Sequence, residues 1–68
     1  MEKFTLEKTE GVHSLTEFTV YPDGEVLVER TFKHLPTGQT TDKKFYPVEY
    51  ARDMWNELVG NGMWKRIA

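Results

Sequence analysis

His13 and Ser14 are neighbours, the one place in this chain where a hydroxyl nucleophile stands beside an imidazole base. A serine activated by histidine would carry acyl transfer, provided the two side chains reach hydrogen-bonding distance. Successive side chains on an extended strand point to opposite faces, so a His-Ser step within a strand cannot close that bond. Ser14 is the only serine and cysteine is absent, so the sequence offers no other serine and no cysteine nucleophile. Metal chemistry has as little to work with. His13 and His34 are the only histidines, no H-x-x-x-H spacing occurs, and no carboxylate stands at ligand spacing from either. Both read as edge or loop histidines. The eleven carboxylates are scattered over turns and exposed faces instead of paired across a cleft, which acid–base catalysis would need. The residues therefore predict no enzyme, no metal and no cofactor.

Surface chemistry remains. Trp64, Lys65 and Arg66 follow one another beyond the last glycine, and with Leu15, Leu27 and Tyr46 they are the candidate contact residues for a protein partner or for self-association. Tryptophan, tyrosine and arginine carry most of the binding energy at protein interfaces. A second reading uses Arg30, Lys33, Lys43 and Lys44 with Phe45 and Tyr46 interleaved, since single-strand binders combine a basic groove with stacking aromatics. Against it, residues 1–30 hold seven acids and only three bases, while residues 31–68 hold four acids and six bases. Four cations neutralise few phosphates, and lysines on a hairpin also blunt a sheet edge. A protein-binding adaptor or regulator is the favoured function, and nucleic-acid binding the alternative.

These residues need elements to hold them. Sixty-eight residues suffice for one domain, residues 1–68, which removes only roughly 60% of its unfolded-state surface from water. The charged opening MEKFTLEKTE lacks the apolar run of a signal peptide, and no stretch is apolar for the roughly 20 residues of a spanning helix. With no cysteine, a cytoplasmic protein that does not engage a membrane is expected.

Two turns punctuate the chain, Tyr21-Pro22-Asp23-Gly24-Glu25 and Leu35-Pro36-Thr37-Gly38-Gln39. Each has a proline that presets φ and a glycine two positions later that can take positive φ, as a three-residue hairpin loop requires. Closing the first with Tyr21 opposite Glu25 places Val20 against Val26, Phe18 against Val28, Thr16 against Arg30 and Ser14 against Phe32. Phe18, Val20, Val26, Val28 and Phe32 then share the core face. Leu15, Glu17, Thr19, Leu27, Glu29, Thr31 and Lys33 form the wetter face, where Glu17 opposes Glu29 unfavourably. For the second hairpin a four-residue loop is expected, pairing Lys33 with Asp42 and burying Phe45. A three-residue loop would bury Tyr46 instead. Phe4 and Leu6 suggest a short extra strand, with residues 9–12 as its loop.

Pro47 opens a helix in which Val48, Ala51, Trp55, Leu58 and Val59 repeat at helical spacing, with Met54 beside them. Gly60 or Gly62 stops it. Trp55 lies mid-stripe and should fill the core, while the tail after the helix is expected to fold back along the sheet or helix, leaving Trp64 only partly covered. The expected fold is α+β: an antiparallel meander of three or four strands with one C-terminal helix packed on one face.

Ala51, Trp55, Leu58, Val59, Gly62, Trp64 and Arg66 form a stretch that resembles the ending of small uncharacterised domains from cyanobacteria and their phages. Met63, inserted between the glycine and the tryptophan, departs from that pattern. The resemblance implies a lineage and no activity. Strands followed by Thr37-Gly38-Gln39-Thr40 and a helix also resemble the nucleic-acid-associated WGR module, although Val28-Glu29-Arg30 replaces its signature tripeptide. The order of strands then C-terminal helix is similar to single-stranded-DNA-binding coactivator domains, a likeness of layout that does not fix function.

Overall fold

The first hairpin folds as its sequence dictates. Gly24 takes φ 89°, the Tyr21 N–H donates to the Glu25 carbonyl at 2.9 Å and the Gly24 N–H to the Tyr21 carbonyl at 3.2 Å. Asp23 Oδ1 accepts from the Glu25 N–H at 3.0 Å, an Asx turn that tightens the loop. From there β2 (His13–Val20) and β3 (Glu25–His34) pair antiparallel from Val20–Val26 through Phe18–Val28 and Ser14–Phe32 to His13–Lys33.

The computed structural model describes residues 2–34 and 38–68. It adds β1 (Glu2–Lys8), β4 (Gly38–Pro47), α1 (Val48–Gly60) and β5 (Lys65–Arg66) to that hairpin. The sheet has five strands in the order β4-β3-β2-β1-β5, every neighbouring pair antiparallel, with the helix on one face. The meander and its C-terminal helix stand as expected, but three or four strands is an undercount. The suggested N-terminal strand β1 is the fourth and pairs along the whole of its length with β2, and the fifth is the tail, which pairs Arg66 with Leu6 and Lys65 with Glu7. The tail's ladder continues through the Ile67 N–H to the Thr5 carbonyl at 2.9 Å and the Thr5 N–H to the Ala68 carbonyl at 3.1 Å.

The second hairpin corrects the expected register. Arg30 opposes Asp42, Lys33 opposes Gln39 and His34 opposes Gly38, so three residues and not four join the strands. The loop residues 35–37 themselves, and the His34 side chain, lie outside the described residues. Tyr46 is therefore half-buried on the helix side opposite Val26, and Phe45 stands on the other face, 54% exposed. Two things favour this register. It sets opposite charges across from each other, Arg30 with Asp42 and Glu29 with Lys43, each such pair stabilising a sheet by a few tenths of a kcal/mol to about 1 kcal/mol. It also ends β4 beside the first turn, where the Val48 N–H donates to the Gly24 carbonyl at 3.1 Å and ties the helix start to the hairpin.

Pro47 precedes the helix with φ −59°, and Glu49 in the first turn complements the helix dipole. Gly62, with φ 78°, closes the other end, its N–H reaching the Val59 carbonyl at 3.3 Å. The helix buries Ala51 and packs Val48, Met54, Trp55 and Leu58 on a core of Leu6, Phe18, Val26 and Val28. Val59, expected in that stripe, is exposed. Trp55 meets Phe4 and Phe18 edge-on at ring distances of 5.9 and 5.4 Å. Trp64 is half-buried against the same core, with Lys8 Nζ 5.9 Å from its ring centre. No helix among the described residues is long and apolar enough to cross a membrane.

One core position is imperfect. Thr16 is buried between Leu6 and Arg30 in its row, and its Oγ1 has no hydrogen-bond partner among the described residues. Burying an unmatched hydroxyl costs about 1–3 kcal/mol. Thr16→Val, which keeps the shape and drops the hydroxyl, should raise the urea midpoint by the equivalent of about 1 kcal/mol. A lowered midpoint would mean that the hydroxyl is satisfied in solution.

Candidate functional site

Strand alternation divides the candidate residues between two faces of the sheet. On the helix side stand Tyr46, Trp64 and Arg66, together with Arg30 and Lys44. On the other, which no element covers among the described residues, stand Leu15, Leu27 and Lys65, together with Lys33 and Lys43. Neither set of expected site residues forms a single surface. Arg30 Nη2 bonds Met54 Sδ at 3.4 Å and Lys44 Nζ sits 5.5 Å from the Tyr46 ring centre, so these cations are engaged with helix-side groups. On the uncovered face Glu17 and Glu29 oppose each other between Thr5 and Lys43. Lys3 Nζ lies 3.6 Å from Glu17 Oε1, and Lys43 is the cross-strand neighbour of Glu29, so flanking cations offset the repulsion foreseen for that pair.

The catalytic and metal candidates are held apart too. Ser14 is buried and its Oγ donates to the Val12 carbonyl at 3.0 Å. His13 points to the opposite face, where Nε2 lies 2.6 Å from Glu7 Oε2. No group of three or more metal-binding side chains is gathered among the described residues.

Two features that the sequence did not reveal are built by this topology. The first lies on the uncovered face, in the row Lys3, Thr19, Leu27 and Phe45. Thr19 is buried there, flanked by longer side chains on both neighbouring strands. Phe45 meets Tyr21 edge-on at 5.7 Å, and with half-buried Leu27 beside them the end of this face is aromatic and aliphatic. Choosing the three-residue loop for the second hairpin is the one signal that would have placed Phe45 here.

The second is a cleft of about 360 Å³ between helix and sheet. Its floor is Phe4, Phe18, Val20 and Val26, its roof Val48, Ala51 and Trp55. Two exposed arginines also line it, Arg52 from the helix and Arg66 from β5. Arg66 stacks over the Phe4 ring at 5.0 Å and donates from Nε to the Ala68 carbonyl at 3.1 Å, leaving its terminal nitrogens unbonded among the described residues. Arg52 has no partner among them. Set against protein families, curated proteins and solved structures, the chain matches none.

Proposed function

We propose that the protein is a non-catalytic, cytoplasmic adaptor that binds another protein through the uncovered face of its sheet. The observation that carries this reading is Phe45, 54% exposed, edge-on to Tyr21 and adjoining Leu27 on a face that no element covers among the described residues. An exposed aromatic held in place by a second ring is a low-entropy anchor, the kind of residue that dominates interface energetics. The surrounding Lys3, Glu17, Glu29 and Lys43 supply a polar rim of both signs. The partner is a protein that offers an apolar ridge to this patch. A second copy of the chain would be the self-associating form. The basic residues are split between the two faces, and no observation favours the nucleic-acid reading over this one.

The test is capture of a partner by the wild type and by three variants whose melting is measured in parallel. Phe45→Glu and Leu27→Thr should weaken capture, Phe45→Glu by roughly 30-fold, which is the loss of one hot spot of about 2 kcal/mol. Tyr50→Glu, on the helix at 68% exposure, should leave capture unchanged. Light scattering after size exclusion tells a second copy from a different protein. Equal capture by all three folded variants would refute the reading.

A further inference from the structure

The cleft under the helix has the make-up of a ligand site. Small-molecule pockets are concave, mostly apolar and of about 300–1,000 Å³, with a few polar groups that set orientation. This one meets those terms at about 360 Å³, a large opening to leave between the helix and sheet of a 68-residue domain. Among the described residues its only charged lining side chains are Arg52 and Arg66, which come from different elements and make no ion pair with an Asp or Glu side chain there. It also lies beneath the helix from Val48 to Trp55, so one end of it sits at the first turn, where the helix dipole is positive.

From this we propose that the cleft binds a small amphiphilic monoanion, an unbranched medium-chain carboxylate whose chain lies on the half-buried Phe4, Val20, Val48 and Trp55 and whose head meets Arg52 and Arg66. Charge complementarity selects the head. Two guanidiniums lining an otherwise apolar cleft favour a carboxylate over a neutral or cationic group. The floor selects the body, because aliphatic and ring-edge surfaces offer a chain dispersion contacts and no hydrogen bond to satisfy. The site is on the helix side of the sheet and does not depend on the adaptor reading, which uses the other face.

Trp55 lines the cleft and Trp64 does not, so a Trp64→Phe background gives an emission signal from Trp55 alone. The probes are decanoate, decanol and decyltrimethylammonium, each kept below its micelle concentration. Decanoate should shift the Trp55 emission saturably, with a Kd on the order of 0.1 mM. Decanol, although the more hydrophobic molecule, should bind several-fold more weakly, and the cationic probe should not bind. Arg52→Gln and Arg66→Gln should each weaken decanoate roughly fivefold and leave decanol unchanged. Arg52 is exposed and unpaired, so its variant stays folded, and that can be checked by melting. Val48→Phe, which fills the cleft, should abolish binding. The proposal is overturned if decanoate gives no saturable shift. It is overturned equally if decanol binds as tightly as decanoate and neither arginine variant alters the difference. Capture of the protein by phosphatidylglycerol vesicles without any decanoate response would assign the arginines to a lipid surface and also refute it.

Discussion

Trp55→Ala should lose a large share of the fold's stability at 25 °C. Its ring lies edge-on to Phe4 from β1 and to Phe18 from β2, so one side chain joins the helix to two strands. Truncating a packed tryptophan to alanine costs about 3–5 kcal/mol. One side of this ring borders the cleft, which places the expected loss near 3 kcal/mol. A 68-residue domain without disulfides has only roughly 3–10 kcal/mol to lose. Trp64→Ala is the comparison. That ring is half-buried against the core's margin, with Lys8 over it, and its removal should cost about 2 kcal/mol. Urea titrations followed by far-ultraviolet circular dichroism measure both. Equal losses would mean that the tail and the helix hold the sheet equally, and a stable Trp55→Ala would mean that the helix is not anchored there.

Leu6→Ala comes next. Leu6 has no exposed surface, and it is the residue of β1 that pairs with both Thr16 of β2 and Arg66 of β5. Deleting a fully enclosed leucine side chain costs about 2–5 kcal/mol, the spread depending on how far the site can collapse. Strands hold Leu6 on both sides, so little collapse is available, and about 4 kcal/mol is expected. Leu6→Met, which conserves volume, should cost less than about 1.5 kcal/mol. A mild effect of Leu6→Ala, with the chain still folded and the tail still protected from amide exchange, would mean that β1 is peripheral to the core.

The strong effect expected at Leu6 shows where the sequence was hard to read. Phe4 and Leu6 are the only apolar alternation in a charged N-terminal stretch, so the residues suggested a short strand, and the full seven-residue pairing with β2 emerges only once β2 is in place. Residues 13–34 were fully legible because the turn chemistry and the apolar alternation on both strands select one register, which the structure adopts throughout. The second hairpin lacked that agreement. Its turn suits more than one loop length, and the adjacent Phe45 and Tyr46 offer an aromatic to either face, so burial alone could not choose. What chooses is non-local: the Val48–Gly24 tether and the charge pairs Arg30–Asp42 and Glu29–Lys43. The same non-locality hid the sites. Phe45 joins Tyr21 only across β3, and the cleft takes residues from β1, β2, β3, the helix and β5. Alternation shows which face a residue occupies. It does not show which residues from distant strands meet there.

The adaptor reading is tested most directly by placing a photoreactive benzophenone amino acid at Phe45 and, in a second protein, at Tyr50, then irradiating each in lysate from the source cells. Both positions are exposed, one on the uncovered sheet face and one on the helix. Cross-linking at Phe45 should give a discrete product that excess unmodified protein competes away, and cross-linking at Tyr50 should not. No competed product at Phe45, or the same product at both positions, would contradict the account.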